Sequence, residues 1–267
     1  VSFIVFLVIL SPVYPWLSDF EESDMLVNRI LPPHGFARVP AAHGSFAEWL
    51  RSIPLKPGNP PVTLFNGQPK PYQAGHHAVI DIDIGTQDLQ QCADAIIRLC
   101  AEYLLSRREY DKIVFLLTNG DTVAFTTWST GYRPHVVDDV VTWQKEAHVD
   151  SSYTAFRHYL DFVFTYAGTY SLGRQLSHVD EPQNVRAGDV FIRSGFPGHA
   201  VLVVDVAINE RTEERAFLLC QSYMPAQDIH ILANLKDPDM SPWYTLGATD
   251  TLSTPEWTFL KNDVKRF

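Results

Sequence analysis

The feature that most constrains this chain is the stretch from residue 188 to residue 232, GDVFIRSGFPGHAVLVVDVAINERTEERAFLLCQSYMPAQDIHIL. Four short apolar runs stand in it, at 190–192, 200–207, 216–220 and 229–232. Each is rich in Val, Ile, Leu or Phe, and polar or Gly/Pro turn residues bound each one, which is the pattern of antiparallel strands. The run 200–207 is almost wholly apolar, so it predicts a central strand covered on both faces. His199 stands where the turn Phe196-Pro197-Gly198 enters that strand. A polar group at the mouth of a buried strand is both rigidly held and reachable, so His199 is the first candidate for chemistry.

The rest of the chain supplies helices. Ser45 and Glu48 form a capping-box pattern that predicts a short helix over 46–52, ended by Pro54. Residues 78–84, AVIDIDI, alternate strictly and predict a strand. Asp88 and Gln91 then suggest a helix start, and Leu89, Cys92, Ala93, Ile96, Cys100 and Leu104 recur on one helical stripe. Two runs joined around Asn119-Gly120 read as a hairpin. A further helix is predicted over 153–167, with Phe156, Leu160 and Val163 on its apolar face and Gly168 as its stop. Residues 236–267 read as irregular cover with a short terminal element. The predicted fold is α+β: an antiparallel sheet packed against two long helices.

Hydrophobic residues make up 46% of the 267, enough to bury a real core and to exclude a disordered chain. The net charge of −10 disfavours phosphate backbones, so nucleic acid is not an expected partner. Three cysteines with no paired spacing argue against a disulfide framework and against structural zinc. The opening VSFIVFLVIL is too short to span a bilayer and resembles the apolar part of a secretory signal that lacks its basic start. Residues 1–28 are therefore expected to be a truncated leader and linker, and 29–267 a single domain exported to the cell envelope, with no membrane insertion beyond the leader. Nothing in the sequence decides an oligomeric state.

Several segments resemble a bacterial family known as domain-of-unknown-function family 4846. They are HHAVIDIDIGTQDLQQCADAIIRLCAEYL, YTAFRHYLDFVFTYAGTYSL, GDVFIRSGFPGHAVLVVDVA, LLCQSYMPAQDIHIL and SPWY. The resemblance implies a bacterial, often exported protein and carries no activity. Residues 150–222 also resemble the NlpC-like branch of the papain fold, cysteine peptidases and amidases that cleave cell-wall peptides. That resemblance rests on Gly188-Asp189, Gly198-His199 and a helix opening at Asp150-Ser151-Ser152, 48 residues before the histidine. It implies an NlpC-like core at about 150–233 with His199 as base. It also puts Ser151 where such enzymes carry cysteine, and a serine hydroxyl gains little from a setting that activates a thiol.

Four residues are thus candidates for catalysis. His199 is a general base or a turn cap. Ser151 is a nucleophile or a plain N-cap. Cys92 is a nucleophile near a helix start or a small apolar residue on the helix stripe. Gln221, on the next strand, is expected to hydrogen-bond His199 and fix its tautomer, because a hairpin about 209–214 brings the two within reach; His230 is a second candidate partner. The expected protein is an amide hydrolase of the cell envelope, or a catalytically degraded descendant of one, with a cell-wall peptide or glycan as expected partner and no cofactor or metal. The alternatives are a non-catalytic module in which the same cleft holds such a ligand, and a metal-dependent hydrolase built on His76, His77, Asp81 and Asp83; Trp128, Tyr132 and Arg133 are separate candidates for a groove that takes a sugar or peptide.

Overall fold

Nine of the ten residues of His199–Ile208 are buried, and this strand is the axis of the molecule. The computed structural model of the chain describes residues 14–247 and 250–267. Among the described residues nine strands join one sheet: β1 Ala37–Arg38, β2 His76–Val79, β3 Ser177–His178, β4 Val190–Arg193, β5 His199–Ile208, β6 Arg215–Gln221, β7 His230–Leu232, β8 Tyr244–Thr245 and β9 Val264–Arg266. Their order is β2-β7-β6-β5-β4-β9-β3, with β1 beside β5 and β8 beside β6, and each pair is antiparallel. The architecture is α+β with antiparallel pairing throughout that sheet.

An apolar strand this long needs cover on both faces. On one face Ala200, Leu202 and Val204 join the larger core; on the other Val201 and Val203 pack with Phe191, Phe217 and Leu219. The register shifts where Leu218 pairs Asp205 and Leu219 pairs Val203, so Val204 is the extra residue of a β-bulge. Past it the alternation is inverted, with Val206 and Ala207 on the opposite faces to those that strict alternation would assign.

Among the described residues the four longest helices are α1 Phe46–Arg51, α2 Cys92–Ser106, α3 Tyr153–Tyr166 and α4 Thr169–Gln175. The cap of α1 is the expected one, with Ser45 Oγ accepting from the Glu48 N–H at 3.2 Å. α2 begins later than the sequence pattern suggests. Asp88 is occupied elsewhere, its Oδ1 accepting from the Ala226 N–H (2.6 Å) and from Gln91 Nε2 (3.0 Å). The chain turns once more, Gln91 becomes the N-cap, and Cys92 is the first residue of the helix. The cap of α3 is Ser152, whose Oγ accepts from the Ala155 N–H at 3.2 Å.

The helix lying directly against β5 and β6 is α2. The expectation that the 153–167 helix lies on the sheet needs correction. α3 contributes Phe156, Leu160 and Val163 to the shared core. Its polar ties, however, include those to α2, through Tyr153 and Glu102 (2.7 Å), to the Val114–Leu116/Thr122–Ala124 hairpin, through Tyr159 and the Val123 carbonyl (2.9 Å), and to Asp83, through Arg157 (3.2 Å).

Two end segments also differ from expectation. The apolar opening lies outside the described residues. From Tyr14 onward the chain is docked rather than a free linker: Tyr14 is buried and donates to the Trp49 carbonyl at 2.9 Å, and Trp16 donates to the Asp81 carbonyl at 2.6 Å. The tail ends in the expected short terminal element, β9, but the rest is more regular than expected, since it also supplies β8 and a hairpin pairing Thr251–Ser253 with Thr258–Leu260. Among the described residues no helix is long and apolar enough to cross a membrane.

Candidate active site

The start of α2 faces the start of β5 across a cavity of about 560 Å³ whose lining includes Cys92, His199, Tyr223 and Trp257. The turn entering β5 is built for a close approach. A Cβ on Gly198 would stand 2.3 Å from Thr169 Oγ1 and 2.5 Å from the Gly195 carbonyl, so no larger residue fits there.

Cys92 carries the first side chain of a four-turn helix, and the backbone N–H groups of Ala200, Ala93 and Cys92 itself face its sulfur. Burial works against ionisation and prevails, with the nearby Asp94 adding to it: the thiol is pushed up to about 11. Burial also pushes the His199 imidazole down, to about 4, with the Lys70 charge acting in the same direction and the Gln221 hydrogen bond opposing. At neutral pH both groups are therefore uncharged.

The histidine is oriented. Its Nε2 lies 2.7 Å from Gln221 Oε1. Gln221 Nε2 in turn donates to Glu256 Oε2 at 2.7 Å, and Lys70 Nζ donates to the same oxygen at 2.5 Å. With the amide nitrogen on the carboxylate, the amide oxygen is what His199 meets, so His199 Nε2 carries the proton and Nδ1 is the acceptor nitrogen. Tyr223, Trp257 and Phe259 surround the ring at centroid distances of 4.8, 5.5 and 5.9 Å.

Cys92 and His199 thus line one cavity, and Gln221 bonds His199. Ser151 does not line it. It is exposed and precedes the start of α3, whereas Phe164 and Thr165, near the other end of that helix, line the cavity. Fourteen residues of helix put roughly 20 Å between the two ends. The helix whose start lines the cavity with His199 is α2, not α3.

The metal arrangement is not assembled either. Among the described residues no group of three or more His, Cys, Asp or Glu side chains converges to hold an ion. Asp83 pairs with Arg98 (3.1 Å) and Arg157 (3.2 Å), and both ring nitrogens of His76 meet carbonyl oxygens, of Gln73 (2.6 Å) and Pro60 (3.2 Å). His77 is exposed on the surface. Arg133 lies 4.2 Å above the Trp128 ring, and neither residue lines the cavity, nor does Tyr132.

Four site residues escaped the sequence reading: Tyr223, Glu256, Trp257 and Lys70. Glu256 and Trp257 sit in the loop of the tail hairpin, after Thr254-Pro255. That turn signal was visible in the sequence, but nothing local ties the loop to β5.

A family model described as domain of unknown function 4846 matches residues 26–266. The chain belongs to that family. The match takes in every residue of the site in this 4846-family domain, from Lys70 to Trp257. No curated protein and no solved structure matches the chain.

Proposed function

We propose that this 4846-family domain is a cysteine amide hydrolase in which Cys92 is the nucleophile, His199 the general base and Gln221 the residue that orients it. The observation that carries this is the convergence, on one cavity, of a thiol at a helix start and a neutral histidine whose acceptor nitrogen is fixed by its partner. Because burial keeps both groups uncharged, the thiol proton moves to His199 Nδ1 as sulfur attacks the amide carbon. The backbone N–H groups at the start of α2 stabilise the developing oxyanion. His199 then gives its proton to the departing amine, and a water deprotonated by His199 releases the acyl group from sulfur.

The order of parts, nucleophile at a helix start, histidine at a strand start and a polar residue on the next strand, is similar to that of the NlpC-like papain-fold peptidases. α2 takes the role that the sequence resemblance gave to α3. Asp88 lines the cavity, and no Lys or Arg does so among the described residues; Asp94 lines it too, but burial holds its carboxyl well above the usual carboxylate range, so the charge of the lining rests on Asp88. That lining suits an amide whose flanking groups are neutral or cationic, and a cell-envelope peptide is the substrate class proposed, for an exported protein.

The test is hydrolysis of cell-wall peptide amides by the wild type, Cys92→Ala and His199→Ala. Turnover that survives either substitution in a folded protein overturns the assignment. A second reading, a non-catalytic peptide- or glycan-binding module, draws on the aromatic walls formed by Tyr223 and Trp257 and on the thiol that burial keeps protonated. Saturable binding of those ligands without any wild-type turnover favours it.

A further inference from the structure

An imidazole bonded to a primary amide is ambiguous at both ends. The amide presents oxygen or nitrogen with almost the same shape, and the neutral ring donates or accepts at either nitrogen. Gln221 alone therefore does not decide which nitrogen of His199 is the acceptor that could serve as a base. A third group without that ambiguity is needed, and the chain has one. Glu256 is acceptor-only as a carboxylate, and its Oε2 takes the Gln221 Nε2–H at 2.7 Å. The same oxygen is held by Lys70, a buried donor with no acceptor capacity. His230 supports the same amide orientation more weakly: its Nδ1 lies 2.9 Å from the Asp228 carbonyl, which leaves Nε2 an acceptor, 3.5 Å from Gln221 Nε2.

We infer that Glu256 is a positioning residue, which through Gln221 holds His199 as the Nε2–H tautomer and so keeps Nδ1 free to take the Cys92 proton. The catalytic consequence rests on the hydrolase reading, whereas the tautomer itself does not. Removing Glu256 removes the strong, charge-assisted half of the amide's anchoring, and a flipped Gln221 would offer N–H to His199 Nε2. The ring proton would then move to Nδ1, the nitrogen required as base.

The experiment is nitrogen NMR on the full chain with labelled histidine at neutral pH, the His199 signals being assigned by their loss in His199→Asn. The wild type should show Nε2 protonated and Nδ1 bare. Glu256→Leu is made on a Lys70→Met background so that no buried ammonium is left unpaired. That double variant should gain a population protonated at Nδ1, while Lys70→Met alone and Glu256→Gln, which keeps an acceptor oxygen, should retain Nε2–H. In turnover the double variant should lose about 10–100-fold in kcat with little change in KM, part of the ~10²–10⁴-fold that a positioned base supplies. A wild-type ring already protonated at Nδ1, or a double variant that keeps Nε2–H alone, overturns the assignment. If the wild type hydrolyses nothing, the hydrolase reading falls, and the NMR result still decides the role of Glu256.

Discussion

Strand β5 holds two buried polar side chains six residues apart, and they have opposite surroundings. Asp205 is met by two guanidinium groups, Arg38 Nε at 2.7 Å and Arg51 Nε at 2.8 Å, and by the Val206 N–H at 2.9 Å. Those arginines come from β1 and α1, so the cluster fastens two outlying elements to the sheet. His199 has one strong partner, a neutral amide, and the walls around its ring are aromatic. A buried polar group must be satisfied or neutral. Asp205 is satisfied on both oxygens and holds structure together, whereas His199 is neutral, keeps one nitrogen as an acceptor and lines a cavity. On the proposed function, the contrast separates a structural polar group from a reactive one on the same strand.

Exchanging the two roles by mutation gives the largest effects. His199→Ala should cost about 10²–10⁴-fold in amide turnover, with a folded circular-dichroism spectrum. Asp205→Ala should instead cost about 3 kcal/mol in urea unfolding, because two partly buried arginines lose their counter-charge, while the folded fraction keeps its turnover. Acid sharpens the comparison next. Burial lowers His199 from 6.5 to about 4 and His230 from 6.5 to about 3. The unfolded chain therefore binds protons at these sites below about pH 6.5 that the folded chain refuses until about pH 4 and below. Stability from these two groups is complete above pH 6.5 and is lost as pH falls towards 4, on the order of 2–4 kcal/mol per group. A melting temperature that rises on acidification through that window would contradict both burials.

A smaller effect concerns charge in the cavity. Iodoacetate should alkylate Cys92 about fivefold more slowly than iodoacetamide does, after correction for a small free thiol, as about 1 kcal/mol of repulsion from the Asp88 side implies. Equal corrected rates would remove the argument for neutral or cationic substrates. The smallest effects lie at the far end of α3. Ser152→Ala should cost about 1 kcal/mol as a lost cap, and Ser151→Ala should stay within about 0.5 kcal/mol, neither affecting turnover.

The sheet was legible because its strands are apolar runs punctuated by turns. The observed β4, β5, β6 and β7 fall within a residue of the apolar runs at 190–192, 200–207, 216–220 and 229–232. The Gln221–His199 contact was legible for the same reason, since a hairpin of known loop length sets its own register. Helix starts were harder. Asp88 is a good local cap, but its carboxylate is taken by the Ala226 N–H, 138 residues away, so the helix opens at Cys92. That shift moves Cys92 from the core stripe to the mouth of the cavity. Ser151 shows the converse: its neighbourhood does start a helix, yet where that start lies relative to His199 depends on the path of the whole chain. Glu256 and Trp257 are brought in by a hairpin in the tail, a contact that no local pattern encodes.

Acylation of the thiol is the most direct test of Cys92 and His199 as a working pair. Incubating the full chain with p-nitrophenyl acetate and measuring intact mass and peptide maps reads the first half-reaction, in which sulfur takes the acetyl group and p-nitrophenol leaves. The expected result is one fast acetylation, located on Cys92, absent in Cys92→Ala and slowed at least tenfold in His199→Ala, while Ser151→Ala acylates at the wild-type rate. Acetylation of Cys92 at an unchanged rate in His199→Ala, or a fast acetylation located elsewhere, would contradict that pairing.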